Sequence, residues 1–170
     1  MALGQNRKIL QIVGYQNSGK TTLLERLIAC ATKQGVRVAT IKHHGHGGVP
    51  QNDQTKDSTR HAEAGARITA VEGAGMLRLS IQQERWKLDD IVALYNIFPI
   101  DWLLIEGYKN EHYPKVVLLR TEADEILLQQ LSNIVCVIYW HVQPTTDYPA
   151  FSIDETAQYL DFLMTEMRKD

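Results

Sequence analysis

The stretch Gly14-Tyr15-Gln16-Asn17-Ser18-Gly19-Lys20-Thr21-Thr22 follows the pattern G-x-x-x-x-G-K-[ST], and no other feature of the chain restricts its folding as much. The apolar run Ile9–Val13 before it reads as a short buried strand. The segment Thr22–Ala29 after it spaces its leucines as an amphipathic helix does. A strand, a glycine-rich turn and a helix in that order form a phosphate-binding loop. Its glycines let successive backbone N–H groups converge on phosphate oxygens, and the helix N-terminus adds partial positive charge. Gly14, Gln16, Asn17, Ser18, Gly19, Lys20, Thr21 and Thr22 are therefore the nucleotide-binding candidates. Lys20 reaches for the β- and γ-phosphates, and the Thr21 hydroxyl is a ligand for Mg²⁺.

The remaining pattern alternates strands with helices. Val36–Ile41 reads as a strand and is followed by a long polar loop, Lys42-His43-His44-Gly45-His46 and onward past Asp53. A helix is expected over Ser58–Ala66 with Asp57 or Ser58 as its N-cap. Residues 67–71 and Met76–Ile81, joined by Gly73-Ala74-Gly75, read as a hairpin, with a further short strand ending near Trp86. This insertion could form an edge, a protrusion or a dimer surface. Leu88–Tyr95 suits a helix, and the unbroken apolar run Trp102–Ile105 suits a strand covered on both faces. Lys115–Leu119 and Ile134–Tyr139 are further strands, the second of them the last of the core. Capping-box patterns start at Thr121 and Ser152, and Ala157, Leu160, Leu163 and Met164 follow the second at helical spacing. The expected fold is one α/β domain over residues 1–170: a mainly parallel sheet of the P-loop NTPase type, flanked by helices and interrupted by a β-hairpin.

Composition narrows the partners. A formal net charge of -2 gives no general field for polyanions, which argues against nucleic acid. No apolar run reaches membrane-spanning length and no signal-peptide core is visible, so a cytoplasmic protein is expected. Cys30 and Cys136 read as small buried hydrophobes in a reducing compartment.

The second carboxylate for magnesium should end a buried strand, because ligands in open α/β sheets bind beyond the strands' carboxyl ends. Glu106 does so and precedes Gly107. Asp101 begins the same strand, roughly 16 Å away over five residues at about 3.3 Å each, too far to share an ion. Glu72 and Asp57 are the alternatives. Asp57 and Arg60 are the catalytic candidates. Lys42, His43 and His44 leave a strand at the same sheet edge as the phosphate loop. With Arg60, His61 and Lys109 they form a candidate cleft for a second anionic group. A His43–His46 metal site lacks familiar zinc spacing. Base contacts are expected from residues 141–147, although no Asn-Lys-x-Asp guanine signature occurs. Trp140 and Tyr139 read as core.

The phosphate loop, then Lys42-His43-His44, then Asp57-Ser58-x-Arg60-His61-x-x-Ala64-Gly65-Ala66, then Leu104-Ile105-Glu106-Gly107-Tyr108-Lys109, occur in that order. This ordered set resembles the MobB family, the molybdopterin-guanine dinucleotide biosynthesis proteins B, over about residues 8 to 140. The resemblance implies a dimeric GTP-binding accessory protein of molybdenum cofactor maturation with weak Mg²⁺-dependent GTPase activity. It also implies assistance to the guanylyltransferase MobA, which attaches GMP to molybdopterin. Two other functions fit the same loop: a small-molecule kinase or ligase, and a metallochaperone GTPase using the His43–His46 loop. The first lacks an arginine-rich lid in the sequence.

Overall fold

The computed structural model describes residues 7–44 and 56–169, except for the side chains of Lys56 and Asp57. Six parallel strands make the main sheet: β1 (Lys8–Gly14), β2 (Val38–Lys42), β5 (Trp102–Glu106), β6 (Lys115–Leu119), β7 (Ile134–Tyr139) and β8 (Ala150–Ser152), in the spatial order β2-β5-β1-β6-β7-β8. Every residue of β5 and β6 is buried, as expected of strands covered on both faces. β8 is a three-residue edge strand beyond β7, so Ile134–Tyr139 is not the last strand of the sheet.

Side chains alternate between two helical layers. Leu10, Ile12, Leu104, Val116, Leu118 and Ile138 point to one face and meet α1 (Lys20–Lys33) and α5 (Thr156–Glu166). On the other face, Ile41, Leu103 and Ile105 meet α3 (Leu88–Leu94), while Val13, Val117 and Val137 meet Leu127 of α4 (Ile126–Gln130). α1 extends further than its sequence pattern, and its buried stripe is Leu23, Leu24, Leu27 and Ala31. Two sequence expectations fail in α5. Ala157 is exposed, and fully buried Tyr159 takes its place in the packing. At Ser152 the capping box is only half made: Glu155 accepts from the Ser152 amide at 2.6 Å, but the helix begins at Thr156 because Ser152 still belongs to β8. The box at Thr121 forms in full. Cys136 is buried, whereas Cys30 is only partly so, and both are free thiols.

The hairpin pairs β3 (Ile68–Gly73) with β4 (Met76–Ile81) in a separate two-stranded sheet. The sequence leads from Ile81 to α3 without the third strand expected near Trp86. α2 (Lys56–Glu63) starts earlier than expected, which places Asp57 and Ser58 inside the helix rather than at its cap.

Two polar residues interrupt otherwise apolar strands, and both tie down the segment between β5 and β6. Gln11 donates from Nε2 to the carbonyls of Gly107 (3.1 Å) and Tyr108 (2.9 Å). Fully buried Lys115 donates to the carbonyls of Glu111 (2.7 Å) and Ser132 (2.8 Å), and burial pushes its ammonium below its ordinary pKa. Fully burying a leucine stabilises by about 1.5–3 kcal/mol, so the α1 stripe is a principal anchor of the cleft. Leu27→Ala should lower unfolding free energy by about 2–5 kcal/mol in a denaturant titration, through lost transfer energy and the cavity left behind.

Candidate functional site

β1 ends where Gly14 turns the chain into the loop. Its φ is 155°, and a Cβ there would lie 2.7 Å from the Leu118 carbonyl oxygen and 2.6 Å from the Ser18 hydroxyl. Backbone on one side and a buried side chain on the other admit only glycine. Asn17 has φ 59°, a left-handed conformation asparagine tolerates. Three carbonyls of the loop are engaged, one by the loop's own lysine and two from outside. Lys20 Nζ donates to Tyr15 O at 2.5 Å, Arg120 Nη1 to Asn17 O at 3.3 Å, and Trp140 Nε1 to Ser18 O at 2.9 Å. In a trans peptide the N–H points opposite to the C=O. Arg120 and Trp140 thus hold two peptide planes with the N–H groups of Ser18 and Gly19 turned the other way. The Arg120 guanidinium also lies 5.7 Å from the Trp140 ring centre.

The carboxylate opposite is that of Glu106. Its side chain is 7% exposed, and the Thr21 hydroxyl donates to its two oxygens at 3.1 and 3.2 Å. Lys42 Nζ stands 3.1 Å from Glu106 Oε1 and 3.4 Å from Thr21 Oγ1. Burial lowers the pKa of Lys20; Glu106 opposes the shift and Lys42 adds to it. The Thr21–Glu106 spacing suits two neighbouring ligands of an octahedral Mg²⁺, whose oxygens at 2.0–2.1 Å from the ion are about 3 Å apart. Among the described residues no three His, Cys, Asp or Glu side chains converge as a transition-metal site would need.

After Glu106 the chain turns at Gly107, with φ 91° and His43 Cβ only 3.0 Å from where a Cβ would be. The Tyr108 and His43 rings lie 4.3 Å apart, and Lys109 Nζ is 4.8 Å from the Tyr15 ring centre. These elements enclose a cleft of about 1360 Å³, lined by the phosphate loop, Lys42–His44, Arg85–Asp89, Glu106–Glu111 and Trp140.

The structure thus brings together Gly14–Thr22, Lys42, His43, His44, Glu106 and Lys109. It does not bring in Arg60 and His61, which are exposed on α2 and absent from the lining. Glu72 is exposed on the hairpin, opposite Leu77, and Asp101 closes the far end of β5 by pairing with Arg37 at 2.7 Å. The Asp57 side chain, Asp53 and His46 lie outside the described residues. The lining stops at Trp140, so residues 141–147 do not contribute to it, and Trp140 belongs to the cleft rather than the core. The reading from sequence passed over Arg120 and Arg85–Lys87; an arginine directly after an apolar strand was the signal available for Arg120.

Trp140→Phe keeps the ring and removes the donor. It should weaken binding of the triphosphate expected from the sequence about three- to tenfold, the worth of one hydrogen bond of about 0.5–1.5 kcal/mol, without altering the far-ultraviolet circular dichroism.

Residues 9–140 match the model of the family described as "Molybdopterin guanine dinucleotide synthesis protein B". The "Probable molybdopterin-guanine dinucleotide biosynthesis adapter protein" of Bacillus subtilis (strain 168) is 42% identical over 172 residues, covering 99% of this chain and 98% of the relative. The crystal structure of Bacillus subtilis MobB superposes with a TM-score of 0.82 at 40% identity, over 96% of this chain and 99% of that one. That of a MobB homologue from Bacillus stearothermophilus gives 0.78 at 42% identity, over 94% and 97%.

Proposed function

The chain belongs to the MobB family, and from that premise we propose that it is a GTP-binding adapter of molybdopterin guanine dinucleotide biosynthesis that hydrolyses its nucleotide slowly and assists the guanylyltransferase MobA. The observation that carries this reading is the pairing of the loop Gly14–Thr22 with a buried carboxylate from the neighbouring strand, 3.1 Å from the Thr21 hydroxyl. Backbone N–H groups and Lys20 would bind the phosphates. Thr21 and Glu106 would hold Mg²⁺, which neutralises phosphate charge when bound. Guanine as the base is supported by the guanine dinucleotide in the family's description. Slow turnover is part of the same reading: Arg60, the arginine candidate for the transferring phosphate, lies on α2 away from the lining.

A homodimer is part of the proposal. The hairpin leaves Ile68, Met76 and Leu77 each 60% exposed, a clustering of large apolar residues that marks interaction surfaces. Sedimentation should give a dimer for the wild type and a monomer for the double variant Leu77→Glu, Leu79→Glu. A wild-type monomer would remove this element. Among the described residues no helix is long and apolar enough to cross a membrane.

Calorimetry with magnesium should show saturable GTP binding that ATP competes for poorly. Lys20→Ala should cost roughly ten- to a hundredfold in affinity, as expected for hydrogen bonds to charged groups worth about 1.5–3 kcal/mol. Glu106→Gln should flatten the magnesium dependence, whereas Glu72→Gln leaves it unchanged. No heat with any purine triphosphate would sink the reading.

A further inference from the structure

We propose that the cleft takes a second ligand beside the nucleotide, a pterin phosphomonoester, at a subsite made by His43, Arg85, Trp86, Lys87, Tyr108 and Glu111. The inference rests on the nucleotide reading of the phosphate loop and names what the rest of the cleft is for.

Volume is the first ground. At about 1360 Å³ the cleft exceeds the roughly 300–1,000 Å³ typical of a pocket for one small ligand. Topology says where the surplus lies. The phosphate loop caps β1, with the ends of β6 and β7 on one side, where Arg120 and Trp140 brace it. On the other side lie the ends of β5 and β2. Arg85–Lys87 arrive there too, because α3 is docked through Leu88 and Val92 against Ile41, Leu103 and Ile105. The subsite therefore lies past Glu106 on the flank away from the Arg120–Trp140 brace.

Charge and shape indicate the chemistry. Lys20 and Lys42 already have partners at the phosphate loop and Glu106. The side chains of Arg85 and Lys87 have no hydrogen-bond or ion-pair partner among the described residues. Two uncommitted cations in a cleft suit a phosphate dianion, and the arginine fork binds two of its oxygens. Half-buried Trp86, between them in the sequence, and the Tyr108–His43 ring pair line the same cleft, and such rings offer faces against which a planar heterocycle packs. Besides Glu106, which is paired with Thr21 and Lys42, two carboxylates line the cleft, Asp89 and Glu111. Asp89 Oδ1 already accepts the Tyr113 hydroxyl at 2.7 Å, which leaves Glu111. The pyrimidinone edge of a pterin presents adjacent N–H donors that a carboxylate accepts in pairs, so Glu111 matches the ring as Arg85 and Lys87 match the phosphate.

The test titrates 6-hydroxymethylpterin monophosphate into the full chain, first alone and then with the phosphate loop saturated by GDP and magnesium, following tryptophan quenching. Saturable binding in both conditions is expected. It should weaken about tenfold or more in the double variant Arg85→Gln, Lys87→Gln, and similarly for unphosphorylated 6-hydroxymethylpterin. Trp86→Phe should retain binding and lose much of the quenching. Nucleotide affinity, measured on the same samples, should be unchanged in these variants and so reports that they are folded. Saturation by GDP with no response to the pterin phosphate overturns the subsite and leaves the nucleotide site standing. Competition between the two ligands, with pterin phosphate binding abolished by Lys20→Ala, also overturns it by assigning the phosphate to the loop. Pterin phosphate binding without any nucleotide binding would overturn the earlier reading and leave the subsite intact.

Discussion

Parallel pairing in a single register is the constraint from which the cleft follows. Lys42, Glu106 and Ile12 stand abreast on β2, β5 and β1, so the ends of three strands reach the same edge. A slip of one residue in β5 would send the Glu106 side chain to the opposite face of the sheet. The slip is prevented by burial, because Leu103 and Ile105 belong to one helical layer and Leu104 to the other. Hydrophobic packing far from the ligand edge thereby determines that a carboxylate meets Thr21.

The same arrangement explains why the phosphate loop is supported from two directions. On the β5 side, Thr21, Glu106 and Lys42 form a connected polar group. On the β6–β7 side, Arg120 and Trp140 take the outward carbonyls of Asn17 and Ser18. A glycine-rich turn is intrinsically loose, and backbone order there costs about 1–2 kcal/mol per residue in conformational entropy. Contacts from both neighbouring strand ends offset part of that cost.

What could be read from the chain divides along physical lines. The phosphate loop was legible because it is a local backbone structure, and glycine, lysine and threonine at fixed spacing encode it within nine residues. Glu106 was legible because an unbroken apolar run announces a central strand and its end announces the ligand edge. Arg60 and His61 were misplaced because a loop's length says nothing of where the next helix lands. Trp140 was assigned to the core on its apolar bulk, yet its indole N–H is what the loop uses. β8 escaped notice because three residues carry no periodicity, and its pairing with β7 overrode the cap pattern at Ser152. Arg85–Lys87 reach the cleft only through the docking of α3, a tertiary fact with no local signature.

Gln11 and Lys115 have a consequence of a different kind. Neither is on the cleft's lining, yet from inside the sheet Gln11 grips two carbonyls of the segment between β5 and β6 and Lys115 grips a third. That segment is therefore put in place when the strands assemble, and a ligand arriving later finds it already shaped. The ordering penalty is met once, in folding, and is not charged again at each encounter. Capture on this wall should run at the pace of diffusive collision rather than of loop rearrangement, so that differences among ligands emerge in how long they stay.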